Sequence, residues 1–165
     1  MVRMNNLAGS EYSDEWFTDQ QTVDLVVDLL QPKGSICCPF DSEASLFVKT
    51  AHSIGKCIYG MNDWLEGQYE YDYLMTNPPF SIKTQVIEKV AKEGKPSALV
   101  LPLDSIGGIA RHKIYRQYGY PAVYMPSGRI GYLNQQGIKQ TGSNFFSVIL
   151  LFNTNREGII WESKN

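Results

Sequence analysis

Apolar positions along the chain follow two rhythms. Val23, Val26, Val27 and Leu30 fall three or four residues apart, which puts one stripe on a helix. Thr18 or Asp19 supplies its cap, and Pro32 with Gly34 its stop. Ser35-Ile36-Cys37-Cys38 predicts a short strand, followed by a turn and a helix through Leu46, Phe47 and Val48. Lys56-Cys57-Ile58-Tyr59 predicts a second strand and Tyr71 to Thr76 a third. Ser81 then caps a predicted helix with Ile82, Val86, Ile87 and Val90 on one face and Lys83, Glu88, Lys89 and Glu93 on the other, ended by Gly94. Pro96 to Pro102 is apolar without alternation, the pattern of a strand covered on both faces in a parallel sheet. A helix around Arg111 to Tyr118, a strand at Ala122 to Met125 and a very apolar strand at Phe145 to Phe152 complete the pattern, and the remainder reads as a short tail. Strands alternating with helices imply right-handed βαβ units. The expected fold is α/β, one domain over residues 1–165, with six or seven mostly parallel strands and one antiparallel strand near Phe145 to Phe152.

The third strand runs into Asn77-Pro78-Pro79-Phe80. Consecutive prolines forbid helix and remove two backbone donors, so the strand stops and turns outward. The turn delivers an amide side chain, free carbonyls and an aromatic ring to the carboxyl edge of a sheet, where ligands sit in open α/β folds. The plain alternative is a strand terminated by prolines beside a packed Phe. At average usage such a quartet arises by chance in roughly one chain of this length in a thousand.

The quartet closely resembles the signature of S-adenosylmethionine-dependent amino-methyltransferases, best known among the adenine-N6 DNA methyltransferases. The chain is similar, over roughly residues 15–153, to small Rossmann-like proteins of that kind from phages and mobile elements. The resemblance implies a class I methyltransferase sheet, S-adenosylmethionine as cofactor, and catalysis by Asn77, Pro78, Pro79 and Phe80. The Asn77 oxygen and Pro78 carbonyl would accept both protons of a planar exocyclic amine, turning its lone pair toward the methyl donor, while Phe80 stacks on the extruded base. Phe17 and Thr18 would line the methionine end of the cofactor, although Asp19 stands where proline is usual; a hydrophobic staple onto the helix is the alternative for this stretch. Pro39, Phe40, Asp41 and Ser45 would surround methionine and ribose, although Cys38 replaces the usual acid and the turn has no glycine; Asp41 is equally a helix cap. Gly60 and Met61 stand where an acid usually grips the ribose. Asp63 and Trp64 resemble the element that takes the cofactor's adenine, with capping as the alternative for Asp63. In the Arg129 to Tyr132 stretch, Tyr132 would pack on the target base and Arg129 contact phosphate, or the segment is an exposed hairpin. Asn134 to Ser143 reads as a flexible polar loop.

Net charge is −2, but it is unevenly spread. Residues 1–104 carry −7, while 105–156 contain no acid and six cations, among them Arg111, Lys113, Arg116 and Arg129. One edge is therefore expected to meet phosphate, on DNA first and RNA second, with ordinary solvated side chains as the alternative. With no separate recognition domain in view, target choice is expected from loops, a homodimer or another subunit. A non-enzymatic protein that keeps the fold to bind nucleic acid or protein, and an enzyme acting on RNA or a glutamine amide, are the rival readings. Cys37, Cys38 and Cys57 are too few and too irregular for a disulfide framework, and with two histidines they show no paired metal-ligand spacing, so no metal site is expected. No apolar run is long enough to span a bilayer and no secretion signal is recognisable, so a cytoplasmic location is expected.

Overall fold

The structure, a computed structural model, describes residues 17–134, 136–140 and 145–163. Residues 135 and 141–144 of the predicted polar loop lie outside the described residues. Seven strands form one sheet in the order β10 (Ile159–Trp161), β6 (Ala122–Met125), β9 (Ser147–Phe152), β5 (Ser97–Pro102), β4 (Tyr73–Thr76), β2 (Ile36–Cys38) and β3 (Cys57–Tyr59). Neighbours are parallel except β9, which runs antiparallel to both β5 and β6. A small antiparallel ribbon of β1 (Phe17–Thr18), β7 (Tyr132–Leu133) and β8 (Lys139–Gln140) stands apart from it.

Strand side chains alternate between two cores, as a period of two requires. Cys38, Met75, Ala98, Val100, Ile149 and Leu151 face Val23 and Val26 of α1 (Gln20–Leu30) and Phe47 of α2 (Leu46–Ile54). Cys37, Leu74, Leu99, Leu101, Val148 and Leu150 face Val86, Ile87 and Val90 of α3 (Lys83–Glu93) and Ile114 of α4 (Ile109–Tyr118). The sheet is thus the middle of three layers, and β5 and β9 are buried along their whole length. Each such aliphatic side chain contributes about 1.5–3 kcal/mol on burial, so these two strands dominate stability.

Local chemistry fixes the joins. Asp19 caps α1, its carboxylate accepting the Thr22 N–H at 3.0 Å. Asp72 accepts the Ser35 N–H at 2.8 Å and the Ser35 hydroxyl at 3.0 Å, tying the starts of β2 and β4. Gly34 permits that approach: its φ is +79°, and a Cβ there would stand 2.3 Å from Asp72 Oδ2.

Two expectations are corrected. Ser81 does not cap a helix: the prolines hold the chain extended through Pro79 (φ −56°, ψ 128°), a 3₁₀ turn at Phe80–Ile82 reverses it, and α3 starts only at Lys83. The tail contains β10, a parallel edge strand whose Ile160 packs on the core while Ile159 and Trp161 stay exposed.

Candidate active site

The end of β4 is the centre of the site. Thr76 is fully buried, Asn77 is half-buried with its Oδ1 buried, and Pro78 is buried. Phe80, in the turn that follows, meets Phe145 edge-on with ring centroids 4.9 Å apart. Phe145 in turn lies 6.1 Å from the Tyr132 ring. Tyr132 is buried, its hydroxyl 2.7 Å from Ser147 Oγ at the start of β9, and burial pushes its phenol up to about 12. Tyr132 is also the register partner of Thr18. The ribbon carrying Thr18 is thereby anchored to the same sheet edge as the quartet, since Ser147 pairs with Pro102 at the end of β5. Thr18 Oγ1 is buried with no hydrogen-bond partner among the described residues, an arrangement that a bound polar group would satisfy.

The end of β2 builds the adjoining wall. Pro39 is buried and its carbonyl accepts the Met61 N–H at 3.0 Å, joining the ends of β2 and β3. Phe40 packs edge-on against Trp64 at 5.5 Å. Asp41 accepts hydroxyl hydrogens from Ser45 at 2.8 Å and Thr76 at 2.5 Å. Ser45, not Asp41, caps α2, accepting the Phe47 N–H at 3.2 Å. Burial raises the Asp41 carboxyl to about 6 although both hydroxyls pull it down, so at neutral pH it is an ionised group held by two donors.

The structure therefore gathers Thr18, Asp41, Asn77, Pro78, Phe80 and Tyr132 at one edge. Phe17 precedes Thr18 in β1, which packs against α2. Other residues singled out from the sequence sit differently. Asp63 is exposed on a turn, where its carboxylate accepts the Tyr69 hydroxyl. Trp64 points inward, 1% exposed, beneath the Lys89 ammonium at 4.8 Å. Gly60, at the position where a ribose-binding acid is usual, is left-handed with φ +69°. Arg111 is spent inside the fold, donating to the Gly107 and Asp104 carbonyls and to Thr84 Oγ1 at 2.7–3.0 Å. Lys113 and Arg116 are exposed on α4, and Arg129 is exposed on the loop before β7. Sequence reading missed Thr76, Phe145 and Ser147; the one available signal was a hydroxyl residue in an apolar strand directly before Asn77. Among the described residues no group of three His, Cys, Asp or Glu is placed to hold a metal ion.

No family model matches the chain, and no curated protein matches it. Solved structures do resemble it. A protein assigned as a modification subunit of a type I restriction enzyme from Vibrio vulnificus YJ016 superposes with a TM-score of 0.62 at 10% identity, over 93% of this chain and 48% of that one. A protein assigned as a class I S-adenosylmethionine-dependent methyltransferase from Listeria monocytogenes superposes with a TM-score of 0.57 at 12% identity, over 95% of this chain and 69% of that one. The chain thus spans about half the length of the Vibrio protein. The likeness extends over nearly all of the present chain, and with the strand order above it shows that the protein has the Rossmann-like α/β fold of class I methyltransferases.

Proposed function

We propose that this chain transfers a methyl group from S-adenosylmethionine to the exocyclic amine of adenine in nucleic acid, with DNA as the first substrate class. The observation that carries the reading is the position of Asn77 and Pro78 directly after β4, at the sheet edge that also carries the linked rings of Phe80, Phe145 and Tyr132. A modification subunit of a restriction enzyme and a class I methyltransferase among the structural neighbours support it.

S-adenosylmethionine supplies an electrophilic methyl group when bound. Thr18, with Phe17, Pro39 and Phe40, would hold it. The Asn77 amide oxygen and Pro78 carbonyl accept the two amine hydrogens and direct the nitrogen lone pair. The lone pair so directed would face the methyl group of the bound cofactor, with the displaced amine proton passing to solvent, and the Asp41 carboxylate, bound by Ser45 and Thr76, would support the frame instead of acting as base. Target choice would come from the surrounding loops, a second copy or a separate subunit.

One observation favours a second reading, a fold kept for binding nucleic acid or a protein without catalysis. Asp63 is engaged by Tyr69 and Trp64 is buried, so the residues named for the adenine end of the cofactor do not open toward it. Titration calorimetry decides between the two. Binding of S-adenosylmethionine, followed by labelled methyl transfer to DNA, RNA or protein pools, supports the enzyme and names its substrate; no heat at millimolar cofactor leaves the binding protein.

A further inference from the structure

A cleft of about 540 Å³ opens at the same sheet edge on the α3–α4 side. Leu103, Met125 and Phe146 line it together with Trp161, and its polar groups are Ser127 and Glu162. Phe146, which lines the cleft, follows Phe145, which touches Phe80 of the quartet. The Leu103 N–H donates to the Phe146 carbonyl at 2.8 Å and fixes that join. Trp161 is 69% exposed, a large indole that the core does not use. Beside it Glu162 accepts the Ser127 N–H at 2.6 Å, and the hydrogen bonds of Ser127 hold its carboxyl below the usual glutamate range. An ionised acceptor next to an open aromatic face is chemistry suited to a base that carries an exocyclic amine: the ring stacks and the amine donates. The charge of the cleft itself is the Glu162 carboxylate, and Arg129 stands two residues along the chain from Ser127.

We propose that this cleft binds a nucleobase of the substrate strand adjacent to the target adenine, stacked on Trp161 with its exocyclic amine on Glu162. The proposal rests on the reading that the quartet acts on nucleic acid. The test uses the full chain and single-stranded oligonucleotides carrying one adenine flanked by cytosine or by thymine, with affinity read by fluorescence anisotropy. Trp161→Ala should weaken binding about ten- to hundredfold, the effect of losing one stacked base, while Trp161→Phe retains most of the affinity. Glu162→Ala, which removes the acceptor, should erase the preference for a cytosine flank and leave the thymine-flanked affinity unchanged. If wild type binds and Trp161→Ala binds equally well, the subsite is wrong while the nucleic-acid reading stands. If wild type binds no oligonucleotide, both fall. A dimer in wild type that Trp161→Ala dissociates, without effect on oligonucleotide affinity, would make the cleft a contact between copies and overturn the proposal.

Discussion

The Thr76 hydroxyl lies 2.5 Å from Oδ2 of Asp41, so the residue directly before the Asn77 amide is tied to the turn at the end of β2. The bond joins the edge proposed to hold the cofactor to the edge proposed to hold the amine. Thr76 is fully buried, and valine matches its shape without the donor. Thr76→Val should therefore destabilise the fold by about 1–3 kcal/mol in chemical denaturation, because a desolvated carboxylate oxygen loses a partner. A variant as stable as wild type would show that the bond carries nothing.

Asp41 also predicts a pH dependence. Its carboxyl is raised to about 6 by burial, against 3.8 for an unperturbed aspartate. Between those values the folded state holds a proton that the unfolded chain has released, so the Asp41 contribution to stability falls as pH rises through this window and recovers as pH falls. Asp41→Asn cannot titrate. The stability of wild type relative to Asp41→Asn, followed by denaturation from about pH 3.5 to 7, should fall as pH rises and level off above about 6. A flat difference would mean that the carboxyl is not desolvated.

The basic segment divides into structural and exposed cations. Arg156 donates from Nε to the Leu29 carbonyl at 2.9 Å, in the last turn of α1, and Arg111 bridges three acceptors near the start of α4. Arg156→Ala should cost roughly 1–3 kcal/mol of stability and leave the salt dependence of nucleic-acid binding unchanged. Lys113→Ala and Arg116→Ala should leave stability unchanged and each lower the slope of log affinity against log salt by about 1 where it contacts phosphate. An unaltered slope in both would remove α4 from the interface.

Much of this architecture was legible in the chain because a central strand covered on both faces leaves an unbroken apolar run, as in Pro96 to Pro102 and Phe145 to Phe152, and because Asn-Pro-Pro ends a strand by backbone chemistry alone. What was not legible depended on partners distant in sequence. Charge counting cannot show that Arg111 and Arg156 face carbonyls inside the fold. Asp19 caps α1 as one of the two residues expected there, but nothing local shows that Gly131 makes room for it: a Cβ there would lie 2.1 Å from Asp19 Oδ2. β10 was missed because Ile159-Ile160-Trp161 is too short to show a period and pairs only with the distant β6. The link between Thr76 and Asp41 spans 35 residues and leaves no local pattern.

The most direct test of the account is methyl transfer from labelled S-adenosylmethionine to adenine-containing DNA, with the product nucleoside identified by mass spectrometry, in wild type and Asn77→Ala. The account predicts N6-methyladenine from wild type, a loss of about 10²–10³-fold or more in Asn77→Ala, and cofactor affinity unchanged in the variant. Label appearing at the same rate in both proteins, or no methylated adenine from a wild-type protein that binds cofactor and DNA, would contradict it.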